Sequence, residues 1–112
     1  MHEMSLMQGV LDIIEDASTG QFTKVTKVWL EIGALSGVDP AAMAFCFDAV
    51  MHDTLAQDAE LEIIDKPGEG WCMKCSRPVP ISARYDPCPF CGCHQIQVTG
   101  GEEMRVKEIE VE

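Results

Sequence analysis

Apolar positions fall at helical spacing first. Leu6, Met7, Val10, Leu11, Ile13, Ile14 and Ala17 form one wide stripe, which predicts a helix over 5–17. Ser5 with Gln8 three residues on has the form of a capping box, and Gly20 is the stop. His2 and Glu3 then fall just before the helix, near its positive end. The period changes to two over 24–34, where Val28, Leu30 and Ile32 alternate with Lys27, Glu31 and Gly33 and predict a strand. Trp29 falls on the polar side of it. Asp39-Pro40 starts a second helix running to about Met51, with Asp as N-cap and Pro in the first turn; Met43, Phe47, Val50 and Met51 are its buried face. Residues 60–65 read as a second strand and 104–111 as a last one. In that last strand apolar parity slips between Val106 and Ile109, which predicts a bulge.

The pattern breaks off at Lys66-Pro67-Gly68-Glu69-Gly70. Residues 71–94 hold five of the six cysteines and four of the six prolines, and fit neither a helix nor a long strand. Residues 95–99 suit a short strand leaving this segment, and Gly100-Gly101 marks a second boundary. The fold expected is α+β: a three-stranded sheet with two helices on one face, plus an inserted zinc-ribbon-like module. One domain comprises 1–66 and 100–112, and the module 67–99.

The cysteines give the insertion its chemistry. Cys72-Met-Lys-Cys75 is followed, after twelve residues, by Cys88-Pro-Phe-Cys91-Gly92. Each Cys-x-x-Cys turn sets two thiolates on one side of an ion, so two turns complete the tetrahedron that structural zinc prefers. Gly92 can take a positive φ there, whereas Ser76 stands at the matching place after the first turn. Cys93 or His94 is an alternative fourth ligand to Cys91. Cys46, between two phenylalanines in the second helix, reads as a small buried hydrophobe.

Charge narrows the function classes. Nineteen acidic residues against eight basic ones give −11, which disfavours nucleic acid and anionic membranes and favours metal cations and basic protein surfaces. No window is apolar enough for a membrane span, and no basic-then-apolar leader opens the chain, so a cytoplasmic protein is expected. In that compartment cysteines are metal ligands more often than disulfide partners. No nucleophile–base pair, phosphate loop or His-Glu-x-x-His suggests an enzyme. A ribbon-type protein-interaction module, or a dithiol redox protein, is the alternative function.

Met1-His2-Glu3 is the second candidate site. The His2 imidazole, its own backbone nitrogen, the terminal amine and a neighbouring amide can approach one plane, the geometry nickel(II) and copper(II) favour. The opening Met-His-Glu-Met-Ser-Leu, the strand Val28-Trp-Leu-Glu-Ile-Gly-Ala-Leu-Ser-Gly37, the paired cysteine turns and the ending Val106-Lys-Glu-Ile-Glu-Val-Glu112 together resemble the HypA/HybF family over essentially the whole chain. The resemblance implies a nickel metallochaperone for [NiFe] hydrogenase maturation. It implies transferable Ni(2+) at His2 with Glu3 alongside, and structural Zn(2+) on Cys72, Cys75, Cys88 and Cys91. It also implies a HypB-type GTPase and the hydrogenase large-subunit precursor as partners, with the oligomeric state, a homodimer included, left open.

Overall fold

The computed structural model describes residues 3–112. Its elements are α1 (Glu3–Ser18), β1 (Val25–Gly33), α2 (Pro40–Met51), β2 (Glu60–Lys66), β3 (Gly68–Cys72), β4 (Arg77–Ile81), β5 (Ile96–Gly100) and β6 (Met104–Val111). They form two three-stranded sheets, one ordered β2-β1-β6 and the other β4-β3-β5.

In the first sheet β1 is central, parallel to β2 and antiparallel to β6. Parallel neighbours need a crossover, and α2 supplies it. Val28, Leu30 and Ile32 point to one face, where Met7, Val10, Leu11 and Ile14 of α1 and Met43, Cys46, Phe47 and Met51 of α2 close a single core. The buried Cys46 packs there as a small apolar residue. Both helices thus cover one side of the sheet. The other side carries Lys27, whose ammonium lies 3.2 Å from Glu60 and from Glu62 and 4.6 Å from the Trp29 ring centre. The bulge is where parity slips: Trp29 pairs Glu108 while Leu30 pairs Val106, so Lys107 is the extra residue and both Val106 and Ile109 pack on the core. A second irregularity at Thr26 returns Val25 to the core face.

Two expectations are corrected. Helix α1 starts at Glu3, so Glu3 is its first-turn acid rather than part of a preceding segment. Gln8 donates to Asp12 one turn on at 3.3 Å instead of closing a capping box with Ser5. Asp39 does cap α2, accepting from the Ala41 N–H at 2.9 Å. The insertion also has a sheet of its own, which the sequence pattern hid. In β3 the inward positions are Gly68, Gly70 and Cys72, so no apolar alternation is visible; a Cβ on Gly70 would lie 2.4 Å from the Ile96 side chain. In β4 the inward Val79 and Ile81 are interleaved with Pro78 and Pro80, residues that argue against a strand except at an edge, which β4 is.

The insertion has a second core of Leu35, Cys72, Val79, Ile81 and Cys88. Leu35 comes from the turn after β1 and is the first sheet's contribution to it. At the crossing between the sheets, Gly33 N–H donates to Glu103 at 2.9 Å and Leu35 N–H to Gly101 at 2.7 Å. A Cβ on Gly33 would stand 2.1 Å from the Gly101 oxygen, and one on Gly101, at φ +82, 2.5 Å from the Pro67 oxygen. Beside the crossing, Glu31 is 7% exposed and is bonded by the Arg105 guanidinium, with Lys66 3.8 Å away.

Gly33→Ala is expected to destabilise the protein by ~2–4 kcal/mol, because backbone on both strands must move. Chemical denaturation measures it; a loss under ~0.5 kcal/mol would show that the crossing is soft. The Arg105 hydrogen bond holds the Glu31 carboxyl below its ordinary 4.5 against the opposing effect of burial, with help from the Arg105 and Lys66 charges. A depressed carboxyl contributes stability above its unfolded pKa and loses it as pH falls through the folded value. Between pH 6 and pH 3 (on the order of the carboxylate range) the parent should therefore lose more stability than Glu31→Gln. Equal losses would show that the pair contributes nothing.

Candidate metal centre and terminal site

The first cysteine turn is the β3–β4 connection. Cys72 ends β3, the Ser76 N–H donates to the Cys72 carbonyl at 2.8 Å, and the Cys75 N–H points at the Cys72 sulfur at 3.3 Å. The second turn, between β4 and β5, repeats this pattern: Gly92 N–H donates to the Cys88 carbonyl at 2.9 Å and Phe90 N–H to the Cys88 sulfur at 3.4 Å. Both turns need a positive φ at the residue after the second cysteine. Gly92 supplies it freely at +74, while Ser76 holds +52 at some conformational cost.

The two turns bring Cys72, Cys75, Cys88 and Cys91 together, with all four sulfurs within 4.8 Å of one another. Cys72 to Cys91 is 3.7 Å and Cys75 to Cys88 is 3.9 Å. Sulfurs 2.3 Å from a tetrahedral ion stand about 3.8 Å apart, so the cage fits zinc with little movement. Cys93 and His94 lie outside the cluster. The Cys93 carbonyl accepts from Cys88 N–H at 2.8 Å and its sulfur from Gln95 N–H at 3.2 Å, while its own N–H points at Cys91. His94 is exposed.

The protonation pattern is that of crowded thiols sharing protons. Hydrogen bonding to Cys91, then burial, pushes the Cys75 thiol up to about 12. Burial works to raise Cys88, but the N–H groups of Cys91 and Phe90 outweigh it and bring Cys88 down to about 7. For Cys91 the Cys93 N–H acts downward, yet burial and the neighbouring Cys88 and Cys72 leave it raised. A second thiolate is unfavourable beside the first, and a divalent cation at the centre would remove that penalty for all four. Such a closed S4 cage offers no open coordination position for substrate chemistry.

At the other end of the chain, the Glu3 carboxylate accepts from the Asp39 N–H at 3.4 Å. The start of α1 is thereby tied to the turn that leads from Leu35 into α2. His2, the principal nickel candidate, lies outside the described residues. Sequence reasoning missed Leu35, which seats the cysteine module on the rest of the protein. Its signal was slight: one apolar residue in the turn Gly33-Ala-Leu-Ser-Gly37, where solvent-facing residues are the rule.

The family described as hydrogenase/urease nickel incorporation, metallochaperone, HypA matches residues 1–111. The hydrogenase maturation factors HypA of Rhodopseudomonas palustris (strain BisA53) and Albidiferax ferrireducens (strain ATCC BAA-621 / DSM 15236 / T118) are 61% and 62% identical to this chain, covering 100% of it and of themselves. The solution structure of the Ni metallochaperone HypA from Helicobacter pylori superposes with a TM-score of 0.70 at 30% identity, covering 99% of this chain and 97% of that one. With its two sheets, two helices and four-cysteine cage, the chain belongs to the HypA family of nickel-incorporation metallochaperones.

Proposed function

We propose that this protein carries Ni(2+) to a hydrogenase precursor and that a zinc ion on Cys72, Cys75, Cys88 and Cys91 holds its ribbon together. The observation that carries the reading is the family match, which spans the Met-His-Glu start and both cysteine turns. The unit of 1–66 and 100–112 handles nickel, and 67–99 is the zinc unit. A HypB-type GTPase and the large-subunit precursor are the partners this role calls for. No catalytic step is needed: cargo is bound, presented and given up by ligand exchange. Among the described residues no helix is long and apolar enough to cross a membrane.

The residues suit a division of labour. Zinc held by four thiolates in a half-buried cage is retained, because release requires several ligands to be reprotonated together. Nickel prefers nitrogen ligands, and His2 supplies an imidazole next to Glu3 at the start of α1. The Glu3 carboxylate accepts from the Asp39 N–H and so ties the first turn of α1 to the turn before α2. Transfer requires a site that a partner's ligands can reach and take apart.

Tag-free protein should hold close to one zinc per chain and bind added nickel. His2→Ala should keep the zinc and lose the nickel, as read by mass-spectrometric metal analysis. Nickel binding unchanged in His2→Ala would remove the terminal site from the proposal. For the ribbon, Cys91→Ala should lose most of its zinc and unfold β3–β5, whereas Cys93→Ala should keep both, because Cys93 stands outside the cage. Zinc loss in Cys93→Ala with retention in Cys91→Ala would reverse the ligand assignment.

A further inference from the structure

Charge is unevenly placed along this chain. Residues 71–101 hold three basic residues (Lys74, Arg77, Arg84) and one acid (Asp86), so five basic residues and eighteen acids fall elsewhere. Two of those four charges are engaged: Asp86 accepts from the Ser82 and Ala83 N–H groups at 2.9 and 3.0 Å, and Arg84 reaches Glu102 at 2.7 Å. Lys74 and Arg77 are exposed, and among the described residues neither has a carboxylate within ion-pair distance. In a chain with nineteen acidic residues, these two cations stand clear of all of them.

The same end of the ribbon exposes apolar side chains. Met73 is 57% and Phe90 56% exposed, one on each cysteine turn. The Arg77 guanidinium lies over the Phe90 ring at 4.0 Å, and Arg77 pairs with Cys72, the residue before Met73. The backbone beneath is held in place: Met73 N–H donates to the Gln95 carbonyl at 2.9 Å, and Phe90 N–H to the Cys88 sulfur at 3.4 Å. A guanidinium stacked by its face keeps the N–H fork on its rim free for a carboxylate. Arg, Met and aromatic side chains are those that interfaces favour, and a rigid frame lowers the cost of ordering them.

We propose that the cage end of the ribbon is a docking surface for an acidic segment of a partner protein that also carries an apolar side chain. An Asp or Glu carboxylate of that segment takes the Arg77 fork, Lys74 adds a second positive charge, and the apolar side chain next to the carboxylate covers Phe90 and Met73. The surface stands apart from the nickel reading, since His2 plays no part in it.

Charge selects the occupant. A nucleic-acid strand also offers anions, and bases that stack on a phenylalanine. It would run on past two cations into a chain carrying −11 overall, and zinc on four thiolates adds about −2 behind the two turns. A short protein segment with one or two carboxylates needs only the local positive spot. Offsetting the charge of the cage is the other role open to Arg77 and Lys74. It accounts neither for the exposed ring beneath Arg77 nor for the exposed Met73.

The test is fluorescence anisotropy of a labelled octapeptide of alternating Glu and Leu, titrated with zinc-loaded, full-length protein. The parent should bind it about tenfold more tightly than the same peptide with Gln in place of Glu. Arg77→Gln and Phe90→Ala should each weaken binding about tenfold, and Arg77→Lys, which keeps the charge without the fork, about threefold. Lys24→Gln, which removes an exposed charge outside the ribbon, should leave binding unchanged. Parental zinc content and thermal midpoint in Arg77→Gln would exclude misfolding as the cause; should that variant lose zinc, Phe90→Ala, which alters no charge, decides the matter. Binding unchanged in both variants, equal weakening by Lys24→Gln, tighter binding of an oligothymidylate than of the peptide, or sedimentation showing that the peptide displaces a second copy would overturn the proposal.

Discussion

Everything in this molecule hangs on a backbone crossing too narrow for side chains. The chain leaves the first sheet through Pro67-Gly68 and returns through Gly100-Gly101, and the end of β1 lies against that return at Gly33. The Gly33–Glu103 and Leu35–Gly101 hydrogen bonds are possible because Gly33 projects no Cβ into Gly101 and Gly101 none into the Pro67-Gly68 backbone beside it. Close approach aligns β6 with β1, and it also delivers Leu35 into the core of the ribbon. The same few residues thus fix strand register in one sheet and the seat of the other. Glu31, with Arg105 and Lys66, seals the polar side of this junction, and Arg84 reaches over from the ribbon to Glu102 at 2.7 Å and to the Leu35 carbonyl at 3.2 Å.

The two cores differ in what sustains them. The first has two helix stripes and a sheet face, an ordinary quantity of apolar surface for a small domain. The second has Leu35, Val79 and Ile81 as its buried aliphatics, and its other two buried members are Cys72 and Cys88. Glycine occupies two of three inward positions on β3. So few aliphatic groups cannot offset the ordering of some thirty residues, and small units of this kind depend on a metal or a cross-link. The cage of thiols does for the ribbon what the helix stripes do for the sheet.

The readable parts of the sequence were those where one period dominates. Helix α2 was legible from Asp39-Pro40 and its apolar face, β1 from Val28, Leu30 and Ile32, and even the β6 bulge from the slip between Val106 and Ile109. The four cysteines declared themselves by spacing. The start of α1 was misplaced because Ser5 resembles a cap, yet Glu3 already satisfies helical geometry two residues earlier. Strands β3 and β4 were invisible because glycine packs inward and proline faces outward, the reverse of the usual signs. Leu35 was missed because its role depends on a surface that exists only after the ribbon has folded. The proposed nickel site at His2 was suggested by the donor atoms gathered at position 2 and strengthened by family resemblance; a histidine there has no periodicity to betray it.

The central position of β1 has a consequence for how the protein is made. Its two neighbours come from opposite sides of the ribbon in sequence: β2 precedes it and β6 follows it. A chain emerging during synthesis can assemble α1, β1, α2 and β2, but one edge of β1 stays bare until the ribbon has been threaded past. Pairing β1 with β6 closes a loop of more than seventy residues, the kind of non-local contact that forms late. Folding the ribbon shortens that loop by bringing Gly68 and Gly100 close together across neighbouring strands. A metal taken up by the four cysteines would thus assist assembly, drawing the last strand to the gap it must fill.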